Sequence, residues 1–182
     1  GLLMNNIIGI GSNHANGISV YDANENILVI GNKFERSSLT LSNCSNLTIY
    51  NNILDSKGGG YTLSDWGKIG KNVYIFNNII IGTNNNLSIN AISPTTTSKN
   101  NIIGGGSTIN RSHNIYIARA WSQTPGGGWS LEEGEIVADG TTVYGPAYTV
   151  DDIFQDISES YKLKENSIAI DSGTNIIDEL PD

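Results

Sequence analysis

Between residues 55 and 71 the chain reads DSKGGGYTLSDWGKIGK, which brings Asp55, Lys57, Asp65, Trp66, Lys68 and Lys71 into a short span. Ammonium groups beside an indole suit an acidic sugar: the charges meet carboxylates or sulfates, and the indole face lies against the ring. The same residues also fit a pair of solvated loops. A second concentration runs from Arg119 to Thr149, where WSQTPGGGWS sets Trp121 and Trp129 on either side of a Pro-Gly-Gly-Gly loop. These aromatics, with Arg119 beside them, either stack on a glycan or pin the loop to the rest of the domain. His113 follows Ser112, but nothing marks a nucleophile elbow or an orienting acid, so it reads as a turn residue. Asp151, Asp152 and Asp156 lack the glycine and the closing glutamate of an EF-hand loop.

The elements that must position these loops are written as a repeat. The pattern N-Φ-x-Φ-x-[G/N]-N-x-Φ matches without a gap at Asn26, Asn46 and Asn72, at spacings of 20 and 26 residues. Its second half recurs at Asn5-Asn6-Ile7-Ile8 and Asn100-Asn101-Ile102-Ile103, with a half-match at Asn114-Ile115-Tyr116-Ile117. Ahead of each full match stands another alternating stretch: Ile18-Ser19-Val20, Leu39-Thr40-Leu41 and Tyr61-Thr62-Leu63. A period of this length predicts a solenoid. Two-residue alternation rich in β-branched side chains predicts short strands, and the crowding of Asn, Gly, Thr and Ser argues against helical repeats.

The expected fold is therefore all-β, a right-handed parallel β-helix in which each strand pairs with its counterpart one coil away, about 4.8 Å along the axis. Inward positions Ile27/Val29, Leu47/Ile49 and Val73/Ile75 should stack into apolar ladders, with Leu47, Ile49, Val73, Ile75 and Ile79 buried. The Asn pairs fall at the bends, where Asn tolerates left-handed backbone and its amide can bond the next amide along the axis. Gly31 replaces one Asn, as a positive φ allows. Residues 1–118 are read as coils. Residues 119–182 are read as an irregular loop and an acidic C-terminal capping segment of the same domain. The start, GLLMNNII, offers an uncapped coil, and the expectation is an N-terminally truncated portion whose open end is covered by preceding residues or another chain.

Composition narrows the classes. Net charge is −8; residues 1–129 carry eight Lys/Arg against five Asp/Glu, and residues 130–182 carry two against thirteen. So acidic a chain is a poor partner for nucleic acid. No run of 18 apolar residues supplies a spanning helix. The single Cys44 excludes an internal disulfide framework and a Cys-rich zinc site.

Residues 1–118 resemble the right-handed parallel β-helix repeats of the pectate-lyase-like superfamily. Residues 152–174, DIFQDISESYKLKENSIAIDSGT, are similar to the closing segment of bacterial secreted β-helix proteins, which reads S-P-A-I-D-x-G. Ser167, Ala169, Ile170, Asp171 and Gly173 match, and Ile168 stands where proline is usual. The resemblance implies a carbohydrate-active protein, foremost a polysaccharide lyase acting on an acidic polysaccharide; the same fold also serves non-catalytic carbohydrate-binding and surface proteins. In such lyases a Lys or Arg abstracts the proton beside a uronate carboxylate, and Ca2+ or another cation neutralises that carboxylate. Carried over, Lys57 and Lys68 become candidate bases and Asp65 a metal contact. Trp66, Lys71, Trp121, Trp129 and Arg119 become substrate contacts. The implied location is secreted, periplasmic or on a bacterial cell surface.

Overall fold

A computed structural model describes residues 1–9, 16–21, 25–55, 62–64, 71–81, 87–88, 96–103, 110–116, 132–137, 153–156 and 160–179. The regular elements of the described residues are strands apart from a helical Ile153 and one short 3-10 turn at Ile177–Glu179. The chain begins β1 (Leu2–Met4), β2 (Ile7–Gly9), β3 (Asn16–Tyr21), then β4 (Glu25–Ile30), β5 (Lys33–Glu35), β6 (Ser38–Ser42). It continues β7 (Ser45–Tyr50), β8 (Ile53–Asp55), β9 (Leu63–Ser64), then β10 (Lys71–Phe76), β11 (Ile79–Ile81), β12 (Leu87–Ser88). The later strands are β13 (Thr96–Lys99), β14 (Ile102–Ile103), β15 (Asn110–Ser112), β16 (Ile115–Tyr116), β17 (Ile136–Val137), β18 (Phe154–Asp156) and β19 (Ser160–Leu163). The first three make one pass through three parallel sheets, and β4–β6, β7–β9 and β10–β12 return to the same sheets in the same order; β13–β16 alternate between the first two sheets, and β17 lies in the second. The first sheet runs β1-β4-β7-β10-β13-β15, the second β2-β5-β8-β11-β14-β16-β17, and the third β3-β6-β9-β12.

Register places like residues in columns. In the first sheet Ile27, Leu47 and Val73 align, as do Val29, Ile49 and Ile75. In the second, Phe34, Leu54, Ile80, Ile103 and Tyr116 form one column. Leu39 and Leu63 align in the third. These side chains share one buried core, and burying each contributes about 1.5–3 kcal/mol. Ile79 departs from expectation: it is half-buried and stands in the neighbouring column with Ile53 and Ile102, while Ile80 is the core residue. Asn78 already points inward before this strand, so alternation resumes with Ile79 facing out.

Each bend between the first and second sheets divides its work between two residues. The first has positive φ: Asn5, Asn51, Asn77, Asn100 and His113 at 52–56°, and Gly31 and Gly134 at 65° and 67°. The second is the ladder residue. From Asn6 through Asn32, Asn52, Asn78, Asn101 and Asn114, each Nδ2 donates to the next Oδ1 at 2.9–3.0 Å, and each backbone N–H donates to the same oxygen at 2.8–3.0 Å. Asn32 through Asn114 are buried, and this bonding is what makes an interior amide tolerable. Glu135 occupies the next ladder position, since Ile115 pairs with Ile136. Its carboxylate accepts from Asn114 Nδ2 (3.3 Å), Tyr116 OH (2.8 Å), Glu132 N–H (2.9 Å) and Arg111 Nε (3.2 Å). A carboxylate has no hydrogen to pass on, so the ladder ends there.

The closing segment, read from sequence as a cap, packs in its described residues along the outer face of the second sheet. β18 and β19 pair antiparallel, and Ile153, Phe154, Tyr161, Leu163, Ile168 and Ala169 cluster with the outward isoleucines Ile53, Ile79, Ile102, Ile115 and Ile136. The segment acts as a strap across successive passes. An isoleucine stands at the first position after every bend but one, where Lys33 takes its place, and this column would otherwise leave an apolar stripe in water. Beyond the strap, Ile7 of the same column is 78% exposed.

Candidate functional site

Of the residues singled out for chemistry, Lys57, Asp65, Trp66, Lys68, Arg119, Trp121 and Trp129 lie outside the described residues. Lys71 is described. It is exposed and opens β10, pairing with Ser45, which pairs in turn with Glu25. Its N–H donates to the Cys44 carbonyl at 3.1 Å, which fixes where the chain returns to the first sheet.

Lys71 leads into a strand whose outward positions are aromatic. Two outward columns run along the first sheet: Leu28, Thr48, Tyr74 and Thr97, and Ile30, Tyr50, Phe76 and Lys99. Tyr50, Tyr74 and Lys99 are half-buried. The Tyr74 and Phe76 rings sit 5.8 Å apart, tilted by 49°. Phe76 is fully buried yet belongs to neither apolar cluster, so it marks the covered side of this face. Tyr50 and Tyr74 supply partly open π-faces on adjacent strands, diagonal to one another, and Lys71 and Lys99 supply positive charge at opposite ends of the neighbouring strands β10 and β13. The sequence held the signal for the tyrosines. They occupy the two variable positions of N-Φ-x-Φ-x, which alternation sends outward.

Two other groups have fixed structural work. Asp55, grouped by sequence with the loop that follows, is the last residue of β8 and is buried. Its carboxylate accepts a hydrogen bond from the strap's Tyr161 hydroxyl. Burial first, then this bond and the charges of Asp55 and Glu35, hold the Tyr161 hydroxyl well above its ordinary pKa. Tyr116 is likewise raised, by burial and then by the charge of Glu135 and the bond to it. Arg111, its side chain only 9% exposed, pairs with Glu135 at 3.2 Å and Glu132 at 3.7 Å. It steadies the end of the ladder. His113 is a turn residue, as expected, in left-handed backbone at the bend.

Between the strap and the bends lies a recess of about 340 Å³. Asn77, Asn100 and His113, the positive-φ residues of three successive bends, line it on the body of the protein. So do Ile79, Ile102 and Ile115 of the outward column, and the strap contributes Leu163, Ala169, Ser172 and Gly173. Asn100 is fully engaged: Nδ2 donates to the Thr174 carbonyl at 2.6 Å and Oδ1 accepts from the Thr174 N–H at 2.9 Å. This two-way bond docks the strap backbone on the bend.

Among the described residues no group of three or more His, Cys, Asp or Glu converges on a metal position, and no helix is long and apolar enough to cross a membrane. Compared with family models, curated proteins and solved structures, the chain matches none.

Proposed function

We propose that this chain is a portion of a carbohydrate-active, right-handed parallel β-helix protein that binds an acidic polysaccharide along the outer face of its first sheet. The cyclic return to three parallel sheets supports the solenoid, and the strong preference of parallel crossovers for one hand supports its handedness. The observation that carries the functional reading is the grouping of Tyr50, Tyr74, Lys71 and Lys99 on three neighbouring strands of this sheet. A glycan offers ring faces and carboxylates, and this group offers aromatic rings and ammonium groups to meet them. The finer proposal is lyase action, with Lys57 or Lys68 removing the proton beside a uronate carboxylate and a cation such as Ca2+, held through Asp65, neutralising that carboxylate. Polymers of this kind place its work outside the cytoplasm, secreted, periplasmic or at a cell surface.

The test is to titrate pectate, alginate and chondroitin sulfate against the wild-type protein, Lys71→Ala and Tyr74→Ala, while following the ultraviolet absorbance of an unsaturated product. Binding should weaken in both variants and with added salt, because exposed charges are screened beyond about 8 Å at physiological ionic strength. Equal binding by all three proteins would move the glycan off this face. Binding without product would leave a carbohydrate-binding β-helix and remove the lyase.

A further inference from the structure

The recess beneath the strap holds two buried polar atoms without partners. Asn77 Oδ1 and His113 Nδ1 are both shielded from solvent and neither makes a hydrogen bond, yet both residues line the recess. They belong to one column, on either side of Asn100, whose amide is satisfied by Thr174. An unsatisfied buried group costs about 1–3 kcal/mol, and natural interiors rarely hold two so close. Gly134 occupies the next position in the column, and a Cβ there would collide with the His113 ring. Glycine at that bend makes room for the imidazole, so the ring's placement is built into the fold.

We propose that this recess is a binding site for a small, uncharged, hydroxylated molecule, a single sugar ring or a polyol. Its volume, about 340 Å³, sits at the lower end of ligand-site sizes, roughly 300–1,000 Å³. Asn77 Oδ1 can only accept a hydrogen, whereas a neutral imidazole nitrogen either gives or takes one. A hydroxyl satisfies both. Among the described residues the lining contains no Lys, Arg, Asp or Glu, so an ion would lose its hydration with no opposite charge from them to meet. Ile79, Ile102 and Ile115 give the C–H face of a ring an apolar surface. The site lies on the second-sheet side, apart from Lys71 and the tyrosines, and does not depend on the polysaccharide reading.

The column itself supplies clean variants. Asn77→Gly removes the amide but keeps a residue suited to positive φ, as at Gly31 and Gly134. His113→Asn installs the residue found at Asn51 and Asn100. Two-dimensional amide NMR of the whole chain with D-glucose, glycerol and, as a charged comparator, D-glucuronate reads the site directly. Saturable shifts at Ser172, Gly173 and Asn100 are expected with glucose or glycerol, with weaker ones for glucuronate. Each substitution should weaken binding about tenfold, the effect of one hydrogen bond. Absence of saturable shifts with every probe, tighter binding of glucuronate than of glucose, or wild-type affinity in both column variants would overturn the proposal.

Discussion

Replacing Asn78 by alanine tests how much of the fold hangs on the asparagine ladder. Asn78 is 1% exposed. Its amide takes part in five hydrogen bonds, accepting from Asn52 N and Asn52 Nδ2 and donating to Ile49 O, Phe76 O and Asn101 Oδ1, all between 2.8 and 3.0 Å. Not all are orphaned. Asn52 Nδ2 still reaches Val29 O and Tyr50 O, Phe76 O still receives Asn51 N–H, and Asn101 Oδ1 still receives Asn78 N–H. What loses its side-chain partner is the buried Asn52 N–H and one of the bonds to Ile49 O. At about 1–3 kcal/mol per orphaned group, with a further cost for the void, the loss should reach about 3–5 kcal/mol. Asn51→Gly, at the solvent-side partner of the neighbouring bend, should cost under about 1 kcal/mol, because glycine accepts its φ of 55°. Urea unfolding followed by circular dichroism gives both values. A cost for Asn78→Ala within about 1 kcal/mol of that for Asn51→Gly would show that the ladder is ornamental.

Alkali should loosen the fold. Tyr116 and Tyr161 are both raised above the ordinary tyrosine pKa, so the folded state disfavours their ionisation. The stability this confers is complete below about pH 10, the unfolded value, and is lost as pH climbs towards the folded values. Urea midpoints at about pH 8 and about pH 11 should therefore diverge, and Tyr161→Phe should narrow the gap; an unchanged gap would remove Tyr161 as a source. Ile102→Asp places a carboxylate under the strap without touching the inward core, and should cost about 2–4 kcal/mol. Trypsin should then cut faster at the strap lysines, Lys162 and Lys164, while the β signal persists; unaltered digestion would mean the strap is not held by this stripe. Ile49→Asp, by contrast, puts an unpaired charge at a site of 0% exposure and should abolish folding, read as loss of the β signal.

The repeat was legible because two periods are superimposed in it. Alternation marked Leu47, Ile49, Val73 and Ile75 as core, and the spacing of Asn26, Asn46 and Asn72 marked the passes. The Asn pairs were recognised as bends with left-handed backbone and amide ladders. Their division of labour was not, although His113-Asn114 and Gly134-Glu135 show it: the first position varies among residues that accept positive φ, and the second keeps an acceptor. The strap is hidden in the sequence for a related reason. The apolar pair after each Asn pair reads as one apolar step, whereas a strand must send Ile79 and Ile80 to opposite faces, and the outward one needs cover. Asp55 reads as a loop residue because charge next to glycine looks solvated; only Tyr161, 106 residues on, explains its burial. The recess depends on another distant contact, Asn100 with Thr174, 74 residues on, so no local pattern could announce it.

The central claim is that the outer face of the first sheet receives an acidic polysaccharide. Amide NMR of the whole chain titrated with a short oligogalacturonate addresses it in a single measurement. The account predicts saturable shifts at Tyr50, Lys71, Tyr74 and Lys99, diminished by salt, with Ile79, Ile102 and Leu163 unmoved. Shifts confined to the second sheet and its strap, or no shifts with any acidic oligosaccharide, would contradict it.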